Sequence, residues 1–223
     1  MQLPASLVIA GLIGCAPIAL GGAQALVLEA KIPLGDVQGR IDHLALDVSR
    51  QRLYVAELGN DSVGVVDLPA RRTLSTIRGL DEPQGIGYVP STDTVWVATG
   101  GDSRLHLFRG ENGHADGILA LGAEADNVRV DARAHRVYIG YGGGNVASFD
   151  ALTRKRLGEV ALKGHPEGFQ LDLAAQRLYV NVPDARQIAV FDLSGAQPGE
   201  FWASEGAAAD TSHTSAAAKG SST

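Results

Sequence analysis

Four short polar segments recur along the chain at nearly equal intervals, and they carry the side chains best suited to chemistry. They are Asp42-His43, Gln84-Gly85, Asp126-Asn127 and Glu167-Gly168, with Glu82 and His165 shortly upstream of two of them. Carboxylate and amide oxygens bind hard divalent cations, and imidazole nitrogen suits transition metals. A histidine beside carboxylates can also act as a base. The candidate ligand-binding residues are therefore Asp42, His43, Glu82, Gln84, Asp126, Asn127, His165 and Glu167.

These polar segments match no recognised catalytic or metal-binding motif. The chain contains no His-Glu-x-x-His, no Gly-x-Ser-x-Gly and no Gly-x-x-x-x-Gly-Lys-Ser/Thr sequence. Two interpretations stay open. The segments are either loops whose Asp and Asn side chains only hydrogen-bond their own backbone, or a rim that binds a ligand. Catalytic residues, metal ligands and cofactors stay unknown at this point.

Three further columns of residues share the same period and define a repeat of nearly constant length. The aromatic column is Tyr54, Trp96, Tyr138 and Tyr179, in steps of 42, 42 and 41 residues. A second column is Val66-Asp67, Phe108-Arg109, Phe149-Asp150 and Phe191-Asp192, and a third is Asp47, Val89, Asp131 and Asp172. Self-similarity with a period near this length is typical of propellers and solenoids.

Each repeat contains short segments of alternating polarity separated by turn residues. In the first repeat Leu44, Leu46 and Val48 alternate with other residues, and 59–62 supplies a turn. This pattern predicts antiparallel strands at about 43–48, 52–57, 63–67 and 73–77. Such a unit buries both faces only by stacking on its neighbours. The sequence therefore predicts an all-β propeller of four four-stranded blades, at about 39–80, 81–121, 122–162 and 163–203, with the aromatic column packed between blades.

The repeat resembles the YVTN-type repeat of bacterial YncE-like periplasmic propellers. The resemblance lies in 53–56, 60–63 and 65–67 and extends over about residues 26–203. It implies an exported propeller with blades like those of WD40 repeats, in a family that usually closes rings of about seven blades. It implies a binding or scaffold function only loosely, because one fold serves many functions.

The first 25 residues carry no charged side chain and resemble a secretory signal peptide. An apolar stretch, Leu7–Leu20, precedes Ala23-Gln24-Ala25, which has the form of an A-x-A cleavage site. The stretch is too short and too interrupted by Gly and Pro for a membrane span. We expect a mature chain that begins near Leu26 and is periplasmic or secreted. Leu12-Ile13-Gly14-Cys15 also resembles a lipobox, so a lipoprotein anchored through Cys15 is the alternative.

The overall charge argues against a nucleic-acid partner. The chain has a net charge of −6, a pI near 5.5 and scattered basic residues, whereas a phosphate-binding surface needs clustered Lys and Arg. Residues 204–223 consist largely of Ala, Ser, Thr and Gly, and this composition predicts a disordered tail.

Four repeats are few for this type of ring. Val27–Pro33 resembles the outer strand of a blade that the sequence does not contain. We therefore expect a truncated propeller, with a genuine four-blade ring as the alternative. An open arc exposes the apolar faces of its end blades, and we expect Tyr54 at one end and Tyr179 at the other. Exposed apolar faces and free edges predict self-association.

These observations leave three hypotheses for function. The preferred one is a non-catalytic exported module that presents the acidic rim at the channel mouth to a small ligand, a metal or a protein partner. The second is a metal-dependent hydrolase resembling the lactonase propellers, which hold one ion with a Glu, Asn and Asp set. Glu82, Asp126, Asn127 and Glu167 are the residues that could supply this set. The third is a truncated, non-functional copy.

Overall fold

The computed structural model describes residues 26–194, in a chain that divides into two units, Met1–Lys31 and Ile32–Thr223. The described residues of the first unit, 26–31, form no helix or strand. Val27–Pro33, whose sequence resembles the outer strand of a missing blade, pairs with no strand in the structure, and the side chain of Val27 is exposed to solvent. The predicted signal peptide, Cys15 and the predicted tail lie outside the described residues.

The second unit consists of consecutive antiparallel sheets, each built from strands that follow one another in the chain. The first sheet contains β1 (Leu44–Asp47), β2 (Arg52–Glu57), β3 (Ser62–Asp67) and β4 (Arg72–Arg78). The second contains β5 (Pro83–Val89), β6 (Thr94–Thr99), β7 (Arg104–Arg109) and β8 (Ala115–Ala120). The third contains β9 (Ala125–Asp131), β10 (Arg136–Tyr141), β11 (Asn145–Asp150) and β12 (Arg156–Ala161). The fourth contains β13 (Gly168–Asp172), β14 (Arg177–Val182) and β15 (Gln187–Asp192).

These sheets are the blades of an all-β propeller fold, as the repeat predicts. Short 3-10 turns at Leu58–Asn60 and Pro183–Ala185 join the second and third strands of the first and fourth blades. The fourth strand expected in the last blade would lie beyond Ser194, outside the described residues.

Turns of one kind recur at the same point of every blade. The residue before each second strand lies in the left-handed region, with φ of 50–52°, at Gln51, Asp93, His135 and Gln176. In three blades the aspartate that ends the inner strand accepts hydrogen bonds from backbone N–H groups two and three residues later, at Asp47, Asp131 and Asp172. The second blade has Val89 at this position. The aspartate column therefore reflects turn formation by side-chain capping.

The aromatic column packs each blade against the next one, as predicted. Tyr54 stacks on Tyr88 of the second blade with 6.0 Å between ring centroids. Trp96 contacts Phe149 of the third blade edge-on at 6.0 Å, and Tyr138 joins the apolar cluster of the fourth blade. The inner strands also pack in sequence, β1 with β5, β5 with β9 and β9 with β13.

Within the described residues the four blades form an open arc. No packing of comparable extent joins β13 to β1 among the described strands. Tyr179 is 39% exposed, as predicted, but Tyr54 is 1% exposed, so its predicted exposure at the other end is wrong. The reason is that the aromatic column points towards the following blade. The second blade covers Tyr54, and the exposed face of the first blade belongs to β1, where Leu44 is 55% exposed.

Candidate functional site

The residues that enter the inner strands lie at one end of these adjacent strands, and we call them the rim. Their positions are Asp42 and His43 directly before β1, Gln84 within β5, Asp126 and Asn127 within β9, and Glu167 directly before β13. The equivalent positions come together because β1, β5, β9 and β13 pack side by side. The structure thus gathers most of the predicted site residues through the register of the repeat.

The densest group on the rim joins two blades that are not neighbours in sequence. Asp42 and His43 come from the first blade and Asp126 from the third, and one ligand atom from each lies within 4.8 Å of the others. All three were predicted from the sequence. Two carboxylates and one imidazole at these separations have the donor types that can share one divalent cation.

Gly85 permits the close approach of the second and third blades at this point. A Cβ at Gly85 would lie 2.2 Å from the carbonyl oxygen of Asp126 and 3.0 Å from the carbonyl carbon of Asn127. Because both contacts are with backbone, β9 would have to move to accommodate a side chain. Gly85 therefore belongs to the site although it has no functional group.

Asn127 is completely buried and is held by two hydrogen bonds from its amide nitrogen. Nδ2 donates to Oδ2 of Asp126 at 3.0 Å and to the backbone carbonyl of Glu167 at 3.1 Å. The second bond links the third and fourth blades. Oδ1 of Asn127 is buried and has no hydrogen-bond partner. A buried acceptor without a partner is uncommon in proteins, and this one is part of an amide that touches the Asp126 carboxylate.

The imidazole of His43 is positioned by its backbone and by Asp42. The backbone N–H of His43 donates to the carbonyl of Gln84 at 3.4 Å. Nδ1 lies 3.1 Å from Oδ1 of Asp42, but it is not aligned for a hydrogen bond and remains buried without one. The other carboxylate oxygen of Asp42 accepts a hydrogen bond from Arg40 at 2.7 Å. Oδ1 of Asp42 and Nδ1 of His43 thus lie close together, and Nδ1 has no hydrogen-bond partner.

His165, which precedes the first strand of the fourth blade, approaches the carboxylate of Asp126. Nδ1 lies 2.8 Å from the carbonyl oxygen of Gly142, so it carries a proton and donates it. Nε2 lies 3.6 Å from Oδ2 of Asp126. Burial lowers the pKa of His165, but the hydrogen bond to Gly142 and the charge of Asp126 outweigh it and raise the pKa overall.

Burial dominates the electrostatics around Asp126. It raises the pKa of the Asp126 carboxyl, and the nearby charge of His43 opposes that rise only in part. Burial also lowers the pKa of Arg129, which lies two residues beyond Asn127 on β9. The Arg129 guanidinium sits 5.5 Å from the centroid of the Phe169 ring, in a cation–π arrangement. The rim is therefore an acidic site with limited solvation.

The remaining predicted residues line the rim without joining the central group. Nε2 of Gln84 donates to Oε1 of Glu124 at 3.3 Å, which links the second and third blades. Glu82 is exposed and adopts a left-handed φ of 52°. Glu167 is exposed and reaches the site through its backbone carbonyl. Within residues 26–194, the group able to hold a metal does not include the carboxylates of Glu82 and Glu167.

Three residues of the rim columns were not among the eight candidate ligand-binding residues, yet they contact them. Arg40 and Glu124 contact predicted residues through their side chains, and Gly85 does so through its missing one. Each stands within two residues of a predicted position. Position in the repeat column therefore identifies these residues, whatever the chemistry of their side chains.

No helix in the described part of the chain is long and apolar enough to cross a membrane.

Comparison with known proteins finds solved structures with a similar fold, but no family model or curated protein that matches the sequence. No family model and no curated protein matches the chain. Structures of 1308 solved chains match it, so the fold alone does not select a function. One is hydrazine synthase of Kuenenia stuttgartiensis, with a TM-score of 0.65 and 10% sequence identity over 78% of this chain and 51% of that chain. The chain thus spans about half the length of that protein, and the likeness shows the fold alone.

Proposed function

We propose that this chain is an exported binding module that holds a divalent cation at its rim through Asp42, His43 and Asp126. The observation that carries the proposal is the convergence of one ligand atom from each residue within 4.8 Å. A second observation concerns unsatisfied atoms. Oδ1 of the fully buried Asn127 and Nδ1 of His43 have no hydrogen-bond partner, and both lie in or beside this group.

The donor set favours a cation of the transition series, such as Zn²⁺. Imidazole nitrogen is a preferred ligand of Zn²⁺, and Asp oxygen also coordinates it. A hard cation such as Ca²⁺ would use the oxygens and leave His43 unused. The two carboxylates would balance the charge of a dication, so the buried Asp126 would gain a counter-charge.

A cation in this position would have a binding and scaffold role. Asp42 and His43 belong to the first blade and Asp126 to the third, so the ion would tie together blades that the chain connects only through the second. Three protein ligands leave at least one coordination position of a tetrahedral ion open to an external ligand. We do not propose the hydrolase alternative, because Glu82 and Glu167 lie outside the group that would have to hold its metal.

Calorimetric titration with metal tests the proposal directly. The full chain, treated with EDTA and dialysed, is titrated with ZnCl₂ and separately with CaCl₂. We expect one Zn²⁺ per chain, with Zn²⁺ bound more tightly than Ca²⁺. Asp126→Asn keeps the size of the side chain and removes its charge. It should weaken Zn²⁺ binding by at least about tenfold, since even an outer partner of a metal ligand contributes that much.

Asp131→Asn is the matched control, because Asp131 lies at the other end of the same strand and caps a turn. Its Zn²⁺ affinity should equal that of the unsubstituted chain. The proposal is wrong if the chain binds neither cation, or if the two variants bind Zn²⁺ equally well. Tighter binding of Ca²⁺ than of Zn²⁺ would remove His43 from the ligand set.

Export and repeat type form the second part of the proposal. The apolar, uncharged first 25 residues and the resemblance to YVTN-type repeats support a periplasmic or secreted module with blades at about 39–80, 81–121, 122–162 and 163–203. N-terminal sequencing of the chain produced in a bacterium should find a mature start near Leu26. An acylated Cys15 would establish the lipoprotein alternative, and an intact Met1 in the cytoplasm would contradict export.

A further inference from the structure

The three ligands proposed for the cation leave one coordination position open, and His165 of the fourth blade lies beside them. Its Nε2 atom is 3.6 Å from Oδ2 of Asp126, which is too long for a hydrogen bond. Two ligand atoms on a tetrahedral Zn²⁺, with bonds of about 2.0–2.1 Å, are separated from each other by about 3.3–3.4 Å. The distance between His165 and Asp126 is therefore close to one edge of such a tetrahedron. Nδ1 of His43 and Oδ1 of Asp42, 3.1 Å apart, are close to a second edge.

The tautomer of His165 gives Nε2 a free electron pair. Nδ1 lies 2.8 Å from the carbonyl oxygen of Gly142, and a carbonyl can only accept, so Nδ1 carries a proton. In the neutral ring Nε2 is then an acceptor, and the atom that it faces, Oδ2 of Asp126, is an acceptor too. Two acceptors repel each other unless a cation, either a proton or a metal ion, lies between them. A histidine that binds a metal usually donates its other ring N–H to a group such as a backbone carbonyl.

The backbone around His165 is fixed, whereas its side chain can move. Pro166 is buried, and a Cβ at Gly140 would lie 3.3 Å from its Cγ, so this loop packs tightly on the third blade. The imidazole of His165 is 32% exposed, and within residues 26–194 one hydrogen bond holds it. His165 lies outside the group whose ligand atoms are all within 4.8 Å of one another. To join that group, its ring has to move towards the first blade by rotation of the side chain.

Other polar side chains near the group are less suited to the open position. Oε1 of Glu124 already accepts a hydrogen bond from Gln84 at 3.3 Å. The amide of Asn127 turns its nitrogen, which is not a metal ligand, towards Asp126 at 3.0 Å. His165 instead presents an unoccupied ligand atom to the same carboxylate.

We propose that His165 binds the cation through Nε2 as a fourth protein ligand until an external ligand displaces it. This inference rests on the cation site proposed under the function of the chain. The ion then joins the first, third and fourth blades, and the carbonyl of Gly142 orients the imidazole. An external ligand reaches the ion only by replacing an imidazole. The ligands able to do so are strong donors for Zn²⁺, namely imidazole or thiolate groups, rather than water or alcohols.

Cobalt spectroscopy of the full chain tests the role of His165. The chain is treated with EDTA, dialysed and loaded with one equivalent of CoCl₂, whose visible bands depend on the ligands of the ion. His165→Asn keeps an amide that can donate to Gly142 but lacks Nε2. We expect this variant to bind one Zn²⁺ at least about tenfold more weakly. Its Co²⁺ bands should shift, because an oxygen of water replaces a nitrogen.

His114→Asn is the matched control, because His114 is exposed in the turn between β7 and β8. This variant should have the Zn²⁺ affinity and the Co²⁺ bands of the unsubstituted chain. Circular dichroism establishes that each variant is folded.

Imidazole added to the solution separates a metal ligand from a residue that only supports one. His165→Gly leaves space for it, and imidazole should restore the Co²⁺ bands of the unsubstituted chain. It should also bind more tightly to this variant than to the unsubstituted chain, where it has to displace His165. A chain that binds no cation contradicts the proposed function and this inference with it. Cation binding with the same bands and affinity in His165→Asn overturns only the role of His165, and so does weaker binding that imidazole does not restore.

Discussion

Gly85 lies where the backbones of the second and third blades meet at the rim. The same repeat column contains His43 in the first blade, Asn127 in the third and Gly168 in the fourth. One column therefore provides a ligand candidate, a buried amide and two glycines. The surroundings decide which residue fits, since a Cβ at Gly85 meets the backbone of Asp126 whereas one at Gly168 meets nothing within 4 Å.

This difference makes a matched pair of substitutions informative. Gly85→Ala should displace the start of β9 and destabilise the chain by about 1–3 kcal/mol, the usual cost of overpacking. Gly168→Ala should leave the stability unchanged or raise it slightly, because it only restricts the unfolded chain. Urea denaturation measures both. Zn²⁺ titration of the folded Gly85→Ala variant, carried out without urea, should show weaker binding than in the unsubstituted chain. Equal stability of the two variants would contradict the close backbone contact.

Tyr54 combines a buried ring with a single hydrogen bond to the next blade. Burial raises its pKa to about 12, from an ordinary value of 10.0. The folded chain therefore resists ionisation of this hydroxyl, while the unfolded chain loses the proton at lower pH. The resulting stabilisation is complete below pH 10 and is lost as the pH rises towards 12.

Tyr54→Phe should therefore reverse its effect with pH. At pH 7 the variant should be less stable by about 1 kcal/mol, because the hydrogen bond to the carbonyl of Gly110 is lost. Between pH 10 and 12 the unsubstituted chain should lose roughly 1–3 kcal/mol that the variant keeps. Thermal or urea unfolding at several pH values measures this. Parallel stability profiles for the two chains would show that Tyr54 ionises as freely in the folded state as in the unfolded one.

At the scale of the strands, local pattern was enough to locate most elements. The first blade was predicted at 43–48, 52–57, 63–67 and 73–77, and its strands span 44–47, 52–57, 62–67 and 72–78. Alternation and turn residues are local features, so one sequence displays them directly. Polar contacts between blades cannot be predicted in this way. Arg50 and Asp93 share no repeat column and no motif, and only folding shows that they meet.

Arg50 links the first blade to the second through hydrogen bonds to charged and polar groups. Its guanidinium donates to both carboxylate oxygens of Asp93, at 2.7 and 2.8 Å, and to the Tyr88 hydroxyl at 3.1 Å. It also donates to the fully buried Asp47 at 2.9 Å. Desolvation by burial raises the pKa of Asp47, but its hydrogen bonds from Ser49 and Arg50 outweigh this and lower the pKa overall.

Arg50→Met should destabilise the chain by about 1–2 kcal/mol, because it removes charged hydrogen bonds and leaves a buried carboxylate with fewer partners. Arg104→Met is a suitable comparison, since Arg104 is half exposed and 3.8 Å from its carboxylate partner Asp102. That change should cost less than about 0.5 kcal/mol. Urea denaturation at one fixed protein concentration measures both. Indistinguishable midpoints would mean that the Arg50 cluster contributes nothing net to blade packing.

At the scale of the whole molecule, the repeat predicted an open arc but placed one of its exposed ends wrongly. The period shows which residues are equivalent, yet it does not show towards which neighbour a column points. Tyr54 and Tyr179 occupy the same column, and both were expected at the ends. Because the column faces the following blade, only Tyr179 lacks a cover. The rim had a similar limit. Equal register brought the predicted residues to one end of the strands, but the approach of Asp42 to within 4.8 Å of Asp126 depends on how the blades curve.

The exposed apolar residues of the arc predict self-association, and a dependence of the thermal stability on protein concentration would reveal it. If two copies associate through these residues, unfolding also separates them, so mass action raises the melting temperature as protein is added. A hundredfold increase changes the free energy by about 2.7 kcal/mol per dimer. Shared between two chains of this size, that corresponds to a rise of roughly 3–5 °C. Differential scanning fluorimetry over such a range measures the rise. Leu46→Lys, which places a charge on an exposed apolar residue of β1, should melt at a lower temperature that does not vary with concentration. Ile118→Lys is the control on the exposed outer strand of the second blade, and it should follow the unsubstituted chain. A melting temperature of the unsubstituted chain that is high and independent of concentration would show that four blades are stable without a partner, because a lone chain has no association equilibrium to shift.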